Sequence, residues 1–168
     1  MSIPYIVIVD DNPADIELLR FALNEVGEPY DLVALQDGAE ALQFVQERYL
    51  EISEPHPCVV LLDFHLPKYD GLEVLAALKR QPSLRHIHVV VLTSGALRPT
   101  DEAKIQSLGA LFREKPRHYS EVLLLAADIL ELCAGRTPAS GTTFATTRRA
   151  SSTTSGKWLT ARSATPTK

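Results

Sequence analysis

Cysteines and long apolar runs are scarce in this chain. Cys58 and Cys133 are the only cysteines among 168 residues, and they form neither a CxxC pair nor the framework of a small secreted domain. This scarcity argues against a disulfide scaffold or a structural zinc site and predicts two reduced thiols. No apolar run approaches the roughly 20 residues that span a bilayer. No basic segment or apolar signal core precedes the strand-like run after Pro4, so we expect a cytoplasmic protein.

Positive charge is scarce over most of the sequence. Residues 136–168 contain six Lys or Arg and no acid, so residues 1–135 carry 11 basic and 21 acidic side chains. The first part is therefore strongly acidic and the second strongly basic. An acidic surface repels phosphate backbones, which argues against direct DNA binding by the folded part. Clustered acids favour a bound cation instead.

Residues able to form a core are scarce near the C-terminal end. Ser and Thr supply 15 of the last 33 residues, and such a segment cannot bury enough apolar surface to fold. We predict one domain over residues 1–135 and a basic, disordered tail over residues 136–168.

Five apolar runs alternate with five helical patterns. The predicted strands cover residues 5–9, 30–35, 58–62, 88–92 and 111–114, and the predicted helices cover residues 13–26, 39–48, 71–80, 100–107 and 119–133. The runs at 6–9 and 59–62 are continuously apolar, as in central strands of a parallel sheet covered on both faces. This pattern predicts an α/β fold, a (βα)5 doubly wound five-stranded parallel sheet. Its ligand site is expected outside the carboxyl ends of the strands.

Three carboxylates fall at predicted strand ends. Asp10 and Asp11 follow the first strand, and Asp63 follows the third. Taken singly, Asp10 or Asp11 could cap the next helix, and Asp63 could begin a turn. Together in one pocket they would repel each other unless a cation joined them, and oxygen ligands suit Mg2+ or Mn2+. The sequence therefore predicts a divalent metal site at this edge.

Two further strand ends carry reactive groups. Thr93 closes the fourth predicted strand and Lys115 closes the fifth. A phosphoryl group on Asp63 would need a metal for its oxygens, an ammonium for its remaining charge and a hydroxyl donor. Lys115 and Thr93 would supply the last two.

The chain resembles the response-regulator receiver family, a CheY-like superfamily, over about residues 4–133. The resemblance is carried by Val9-Asp10-Asp11-Asn12, Leu61-Leu62-Asp63-Phe64-His65-Leu66-Pro67, Asp70-Gly71, Leu92-Thr93-Ser94 and Lys115-Pro116. The residues after Asp11, the stretch at 49–57 and the Leu66 to Gly71 loop are similar to stand-alone single-domain regulators that partner bacterial phytochrome kinases. The family implies a flavodoxin-like strand order of 2-1-3-4-5.

The resemblance implies a phosphorelay role. A histidine kinase, phytochrome-like or hybrid, would supply phosphoryl from a phosphohistidine, and the receiver itself would catalyse transfer to Asp63 and its later hydrolysis. Asp11 and Asp63 would ligate Mg2+ directly, Asp10 through water, and the His65 backbone carbonyl would complete the protein ligands. The chain would thus be a phosphorylated signalling protein of a two-component system rather than an enzyme acting on a separate metabolite.

The family also implies roles for four residues around the acceptor. Thr93 would move toward the phosphoryl group and the Phe112 ring would turn inward behind it, although a Phe on a strand can simply pack in the core. His65 would tune the phosphoryl lifetime, unless it is only an exposed loop imidazole. Ser94 would leave the site open.

Alternative functions remain open from the sequence. An aspartyl phosphatase usually carries Asp-x-Asp, which Asp63-Phe64-His65 lacks. An FMN binder would show a phosphate loop after the first strand, and none is present. A pseudo-receiver that binds partners without phosphorylation is the main alternative. Because 33 Ser/Thr-rich residues cannot form a DNA-binding domain, the output should be another protein or a homodimer through the face of the fourth helix, fifth strand and fifth helix.

Overall fold

The computed structural model describes residues 3–50 and 55–136, in which strands and helices alternate. The strands are β1 Tyr5–Val9, β2 Asp31–Leu35, β3 Val59–Asp63, β4 His88–Thr93 and β5 Leu111–Glu114. The helices are α1 Pro13–Val26, α2 Gly38–Leu50, α3 Gly71–Arg80, α4 Pro99–Ser107 and α5 Tyr119–Cys133. All strand pairs are parallel, in the order β2-β1-β3-β4-β5. The (βα)5 prediction is confirmed, and no predicted boundary is displaced by more than two residues.

The central strands are apolar throughout because alternate side chains enter two different cores. In β1, Ile6 and Ile8 pack in the core that α1 and α5 cover, whereas Val7 and Val9 pack in the core formed with α2, α3 and α4. The same alternation continues along β3 and β4. A strand between two helical layers has no solvated face, so it needs no polar positions until it reaches the edge of the sheet.

Only three residues separate the end of β1 at Val9 from the start of α1 at Pro13. The Asn12 side chain accepts a hydrogen bond from the Ala14 N–H at 3.0 Å, and Pro13 occupies the first turn. At the other end Gly27 adopts φ +83° and its N–H donates to the Leu23 carbonyl. The cap of α1 is therefore Asn12 rather than Asp10 or Asp11, and Gly27 ends the helix.

The two cysteines form a disulfide. Cys58 immediately precedes β3 and Cys133 ends α5; their Cα atoms lie 5.1 Å apart across a sequence separation of 75 residues. The prediction of two reduced thiols is wrong in this structure. Proximity produced by the packing of α5 on the sheet cannot be inferred from the spacing of two cysteines in the sequence.

Within the described part of the chain, no helix is long and apolar enough to cross a membrane. The predicted tail at 136–168 lies outside the described residues except for Arg136, whose guanidinium pairs with Glu131 at the end of α5. The boundary at residue 135 stays a prediction.

Candidate functional site

The polar residues predicted at strand ends converge at the carboxyl edge of the sheet. Asp10 follows β1, Asp63 is the last residue of β3, Thr93 is the last residue of β4 and Lys115 follows β5. Since these four strands are neighbours and all run the same way, their ends meet at one edge. Parallel pairing of distant segments thus builds the site.

Three carboxylates form an acid trio, defined as Asp10, Asp11 and Asp63. One oxygen from each can be chosen so that all three oxygens lie within 4.8 Å of one another. Asp10 is 2% exposed and Asp63 is 4% exposed, while Asp11 is open to solvent. Such a pocket offers hard oxygen ligands and one accessible side, which fits a divalent ion of the Mg2+ or Mn2+ type.

The ammonium of Lys115 bridges the two buried members of the trio. Its Nζ donates to Asp10 Oδ2 at 2.7 Å and to Asp63 Oδ2 at 2.7 Å. The side chain is only 17% exposed, and its backbone N–H donates to the Thr93 carbonyl at 2.8 Å. The ammonium is therefore fixed within hydrogen-bond distance of the predicted acceptor.

Burial and charge act in opposite directions on the ionisation of this cluster. Burial raises the pKa of Asp10, and the hydrogen bonds from Lys115 and the Asn12 N–H offset this only in part. Burial alone would lower the pKa of Lys115, but its hydrogen bonds to Asp10, Asp63 and a third carboxylate outweigh burial and raise that pKa. Lys115 thus stays protonated, and any added positive charge stabilises the ionised form of Asp10.

The backbone that carries Asp63 is packed against a glycine. The Gly71 N–H donates to the Phe64 carbonyl at 3.0 Å, and a Cβ at Gly71 would lie 2.7 Å from the Asp63 carbonyl oxygen and 2.9 Å from the Phe64 Cα. Both contacts are to backbone, which cannot rotate away. The close approach therefore requires glycine at the start of α3.

We expect Gly71→Ala to lower the free energy of unfolding by about 1–3 kcal/mol, because the added methyl pushes on the backbone at Asp63. Urea denaturation followed by circular dichroism measures this change. Gly95→Ala is the matched control, since a Cβ there meets nothing within 4 Å. Equal stability of the two variants would contradict the close-packing argument.

The Thr93 hydroxyl is engaged in its own loop. It donates to the Gly95 carbonyl at 2.7 Å, and the Thr93 hydroxyl oxygen in turn accepts from the Gly95 N–H at 3.3 Å. Phe112 is half-buried against the core on the α3 and α4 side, and it lines one cleft together with Thr93 and Leu97. Core packing of Phe112 is therefore observed, and its switch role stays a prediction.

His65 and Ser94 lie on the open side of the site. Both are exposed, and the His65 N–H donates to Asp63 Oδ1 at 2.9 Å. The His65 and Phe64 rings pack nearly perpendicular to each other, with ring centroids 4.9 Å apart. The backbone of His65 thus orients the Asp63 carboxylate, while the predicted tuning roles of both side chains stay predictions.

Asp15 is a site residue that the sequence did not reveal. It lies in the first turn of α1, and its Oδ2 accepts from Lys115 Nζ at 3.0 Å. Acids are common in first turns because they complement the helix dipole, so Asp15 did not stand out. The only sequence feature that points to Asp15 is its position three residues after the Asn12 cap, on the helical turn nearest the sheet edge.

Comparisons with known proteins agree with this geometry. A family model described as the response regulator receiver domain matches residues 6–123. The response regulator Rcp1 of a Synechocystis species is 42% identical over 89 residues, which are 53% of this chain and 60% of Rcp1. The chain thus covers less than two thirds of that relative.

Two solved structures are similar along nearly their whole length. The phosphorylated cyanobacterial phytochrome response regulator RcpA has a TM-score of 0.67 and 31% identity, over 85% of this chain and 99% of RcpA. The Mn(2+)-bound form of Rcp1 has a TM-score of 0.64 and 30% identity, over 84% of this chain and 99% of Rcp1.

Proposed function

The chain belongs to the response regulator receiver domain family, and we propose that Asp63 accepts a phosphoryl group in a two-component phosphorelay. The observation that carries the proposal is the ammonium of Lys115 bridging Asp63 and Asp10 at 2.7 Å beside the exposed Asp11. A carboxylate acceptor, an ammonium and further oxygen ligands in one pocket are the groups that phosphoryl transfer needs.

The proposed step moves phosphorus from a histidine of a partner protein to Asp63. The bond between phosphorus and the imidazole nitrogen breaks as a bond to an Asp63 carboxylate oxygen forms, and the imidazole leaves with the electron pair. The His65 N–H orients the Asp63 carboxylate, and Lys115 compensates the added negative charge. The Thr93 hydroxyl would leave the Gly95 carbonyl and donate to a phosphoryl oxygen.

A divalent ion is part of the proposal. Asp11 and Asp63 would hold it directly, Asp10 through water, and the backbone carbonyl of His65 would complete the protein ligands. When bound, it neutralises phosphoryl oxygens during transfer. The Mn(2+)-bound form of Rcp1 supports a metal of this type.

The proposed donor is a histidine kinase. The similarity to RcpA and Rcp1, the former a phytochrome response regulator, supports a phytochrome-like or hybrid kinase. Such a donor is phosphorylated by ATP, so the proposal places the reaction in the cytoplasm. The domain would catalyse its own phosphorylation and its own dephosphorylation. The exposed residues His65 and Ser94 would tune the rate of dephosphorylation.

The proposed output is a change of protein contacts. Movement of Thr93 and inward rotation of Phe112 would alter the face formed by α4, β5 and α5, and homodimerisation through that face is the proposed readout. Direct DNA binding is not part of the proposal, because the domain is acidic. A phosphorylated protein that stays monomeric in light scattering would contradict the dimer.

We expect the wild-type chain to gain the mass of one phosphoryl group when it is incubated with acetyl phosphate and Mg2+. Chelation of the metal with EDTA should remove most of the gain, because the acid trio then lacks its cation. Intact-protein mass spectrometry measures both. No gain under conditions that phosphorylate a known receiver would support the phosphorylation-independent pseudo-receiver instead.

A further inference from the structure

Lys115 has a third carboxylate partner that does not belong to the acid trio. Asp15 Oδ2 lies 3.0 Å from Lys115 Nζ, slightly farther than the oxygens of Asp10 and Asp63. The Asp15 side chain is 35% exposed, whereas those of Asp10 and Asp63 are 2% and 5% exposed. The ammonium is thus held on one side by buried trio members and on the other by a carboxylate at the rim.

A metal ion in the trio would compete with Lys115 for its inner partners. Asp10 and Asp63 are shared between the predicted metal site and the ammonium. A divalent cation attracts these carboxylates and so weakens their interaction with Lys115. It also repels the neighbouring ammonium. Asp15 stands outside the trio, so its negative charge remains fully available to Lys115 when the metal is bound.

We propose that Asp15 is a positioning residue for Lys115, which keeps the ammonium beside the acceptor while a divalent metal is bound and thereby tightens metal binding. The inference rests on the metal site of the proposed function and adds a residue to it. Asp15 would act through Lys115 alone. Because its carboxylate lies at the rim and is 35% exposed, the pair would contribute little to global stability, so its effect lies in the coupling between the metal and the ammonium.

The test is the affinity of the full-length chain for Mg2+ alone, measured by isothermal titration calorimetry. Asp15→Asn should raise the Kd for Mg2+ by roughly tenfold, a typical size for coupling between two sites. Asp15→Glu keeps the charge and should restore most of the affinity. Circular dichroism of each variant verifies that the fold is retained.

The matched control is Glu17→Gln, which removes the same charge from the same helix. Glu17 is 57% exposed and pairs with Arg20 rather than with Lys115. Its loss should change the Kd by less than about twofold, because exposed charges away from the site are screened. The difference between Asp15→Asn and Glu17→Gln therefore isolates the contact with Lys115 from net charge.

A double-mutant cycle separates the two possible origins of the effect. In a Lys115→Met background, Asp15→Asn should change the Kd no more than Glu17→Gln does, because Asp15 then has no ammonium to hold. If Asp15→Asn leaves the Kd for Mg2+ unchanged, the role of Asp15 is overturned while the metal site stays intact. The same holds if Asp15→Asn raises the Kd tenfold in the Lys115→Met background as well. Absence of Mg2+ binding by the wild type would overturn both.

Discussion

Asp63→Asn is expected to abolish phosphoryl gain. The amide has the shape of the carboxylate but offers no anionic oxygen to attack phosphorus, so no acyl phosphate can form. Its oxygen can still accept from the His65 N–H, and Lys115 keeps Asp10 and Asp15 as partners. The fold should therefore persist, and the loss reports chemistry rather than unfolding. Intact-protein mass spectrometry after incubation with acetyl phosphate and Mg2+ measures the result.

Asp31→Asn provides a matched control for this variant. Asp31 is exposed at the start of β2, at the opposite end of the strands from the acid trio, so this variant should gain the same mass as the wild type. A phosphoryl gain that persists in Asp63→Asn would place the modification on another side chain and refute the assignment of Asp63.

Reduction of the disulfide is expected to lower the free energy of unfolding by about 4 kcal/mol. The bond between Cys58 and Cys133 closes a loop across 75 residues, and a cross-link of that span restricts the unfolded chain strongly in the chain-entropy model. Domains of ordinary size have about 5–15 kcal/mol of stability, so the loss would be large. Urea denaturation with and without dithiothreitol measures it.

The double variant Cys58→Ser, Cys133→Ser tests the source of the change. It should unfold near the midpoint of the reduced wild type and respond little to dithiothreitol. Phosphorylation of the folded, reduced protein should persist, because Cys58 precedes β3 whereas Asp63 ends it. Identical urea midpoints for the oxidised and reduced wild type would contradict the stabilising role of the cross-link.

The fold was predictable because its strongest signals are local. The apolar runs of β1 and β3 have no solvated face, and Asn12, Pro13 and Gly27 mark the ends of α1 by backbone chemistry that needs no tertiary context. The last residues of the strands were harder to predict from the sequence. Asp63 and Thr93 still belong to their strands, since ladder pairing with a neighbouring strand extends a strand past its last apolar residue.

The site was predictable as a set of residues but not as a set of contacts. Parallel strands bring their ends together, so the convergence of Asp10, Asp63 and Lys115 followed from the alternation of elements. The Asp15 contact depends on how the first turn of α1 faces β5, which no spacing encodes. The hydrogen bond of Thr93 to Gly95 and the cysteine pairing likewise depend on tertiary packing.

Lys115, whose ammonium bridges Asp10 and Asp63, lies in the connection between β5 and α5. Lys115 lies 105 residues after Asp10 and 52 residues after Asp63. During synthesis the three acids therefore leave the ribosome long before their counter-charge, and the cluster stays repulsive until β5 docks beside β4. A nascent chain that stops short of β5 holds Asp63 without the ammonium that pairs with it. The charge balance of this cluster is thus completed only when translation has passed all five strands.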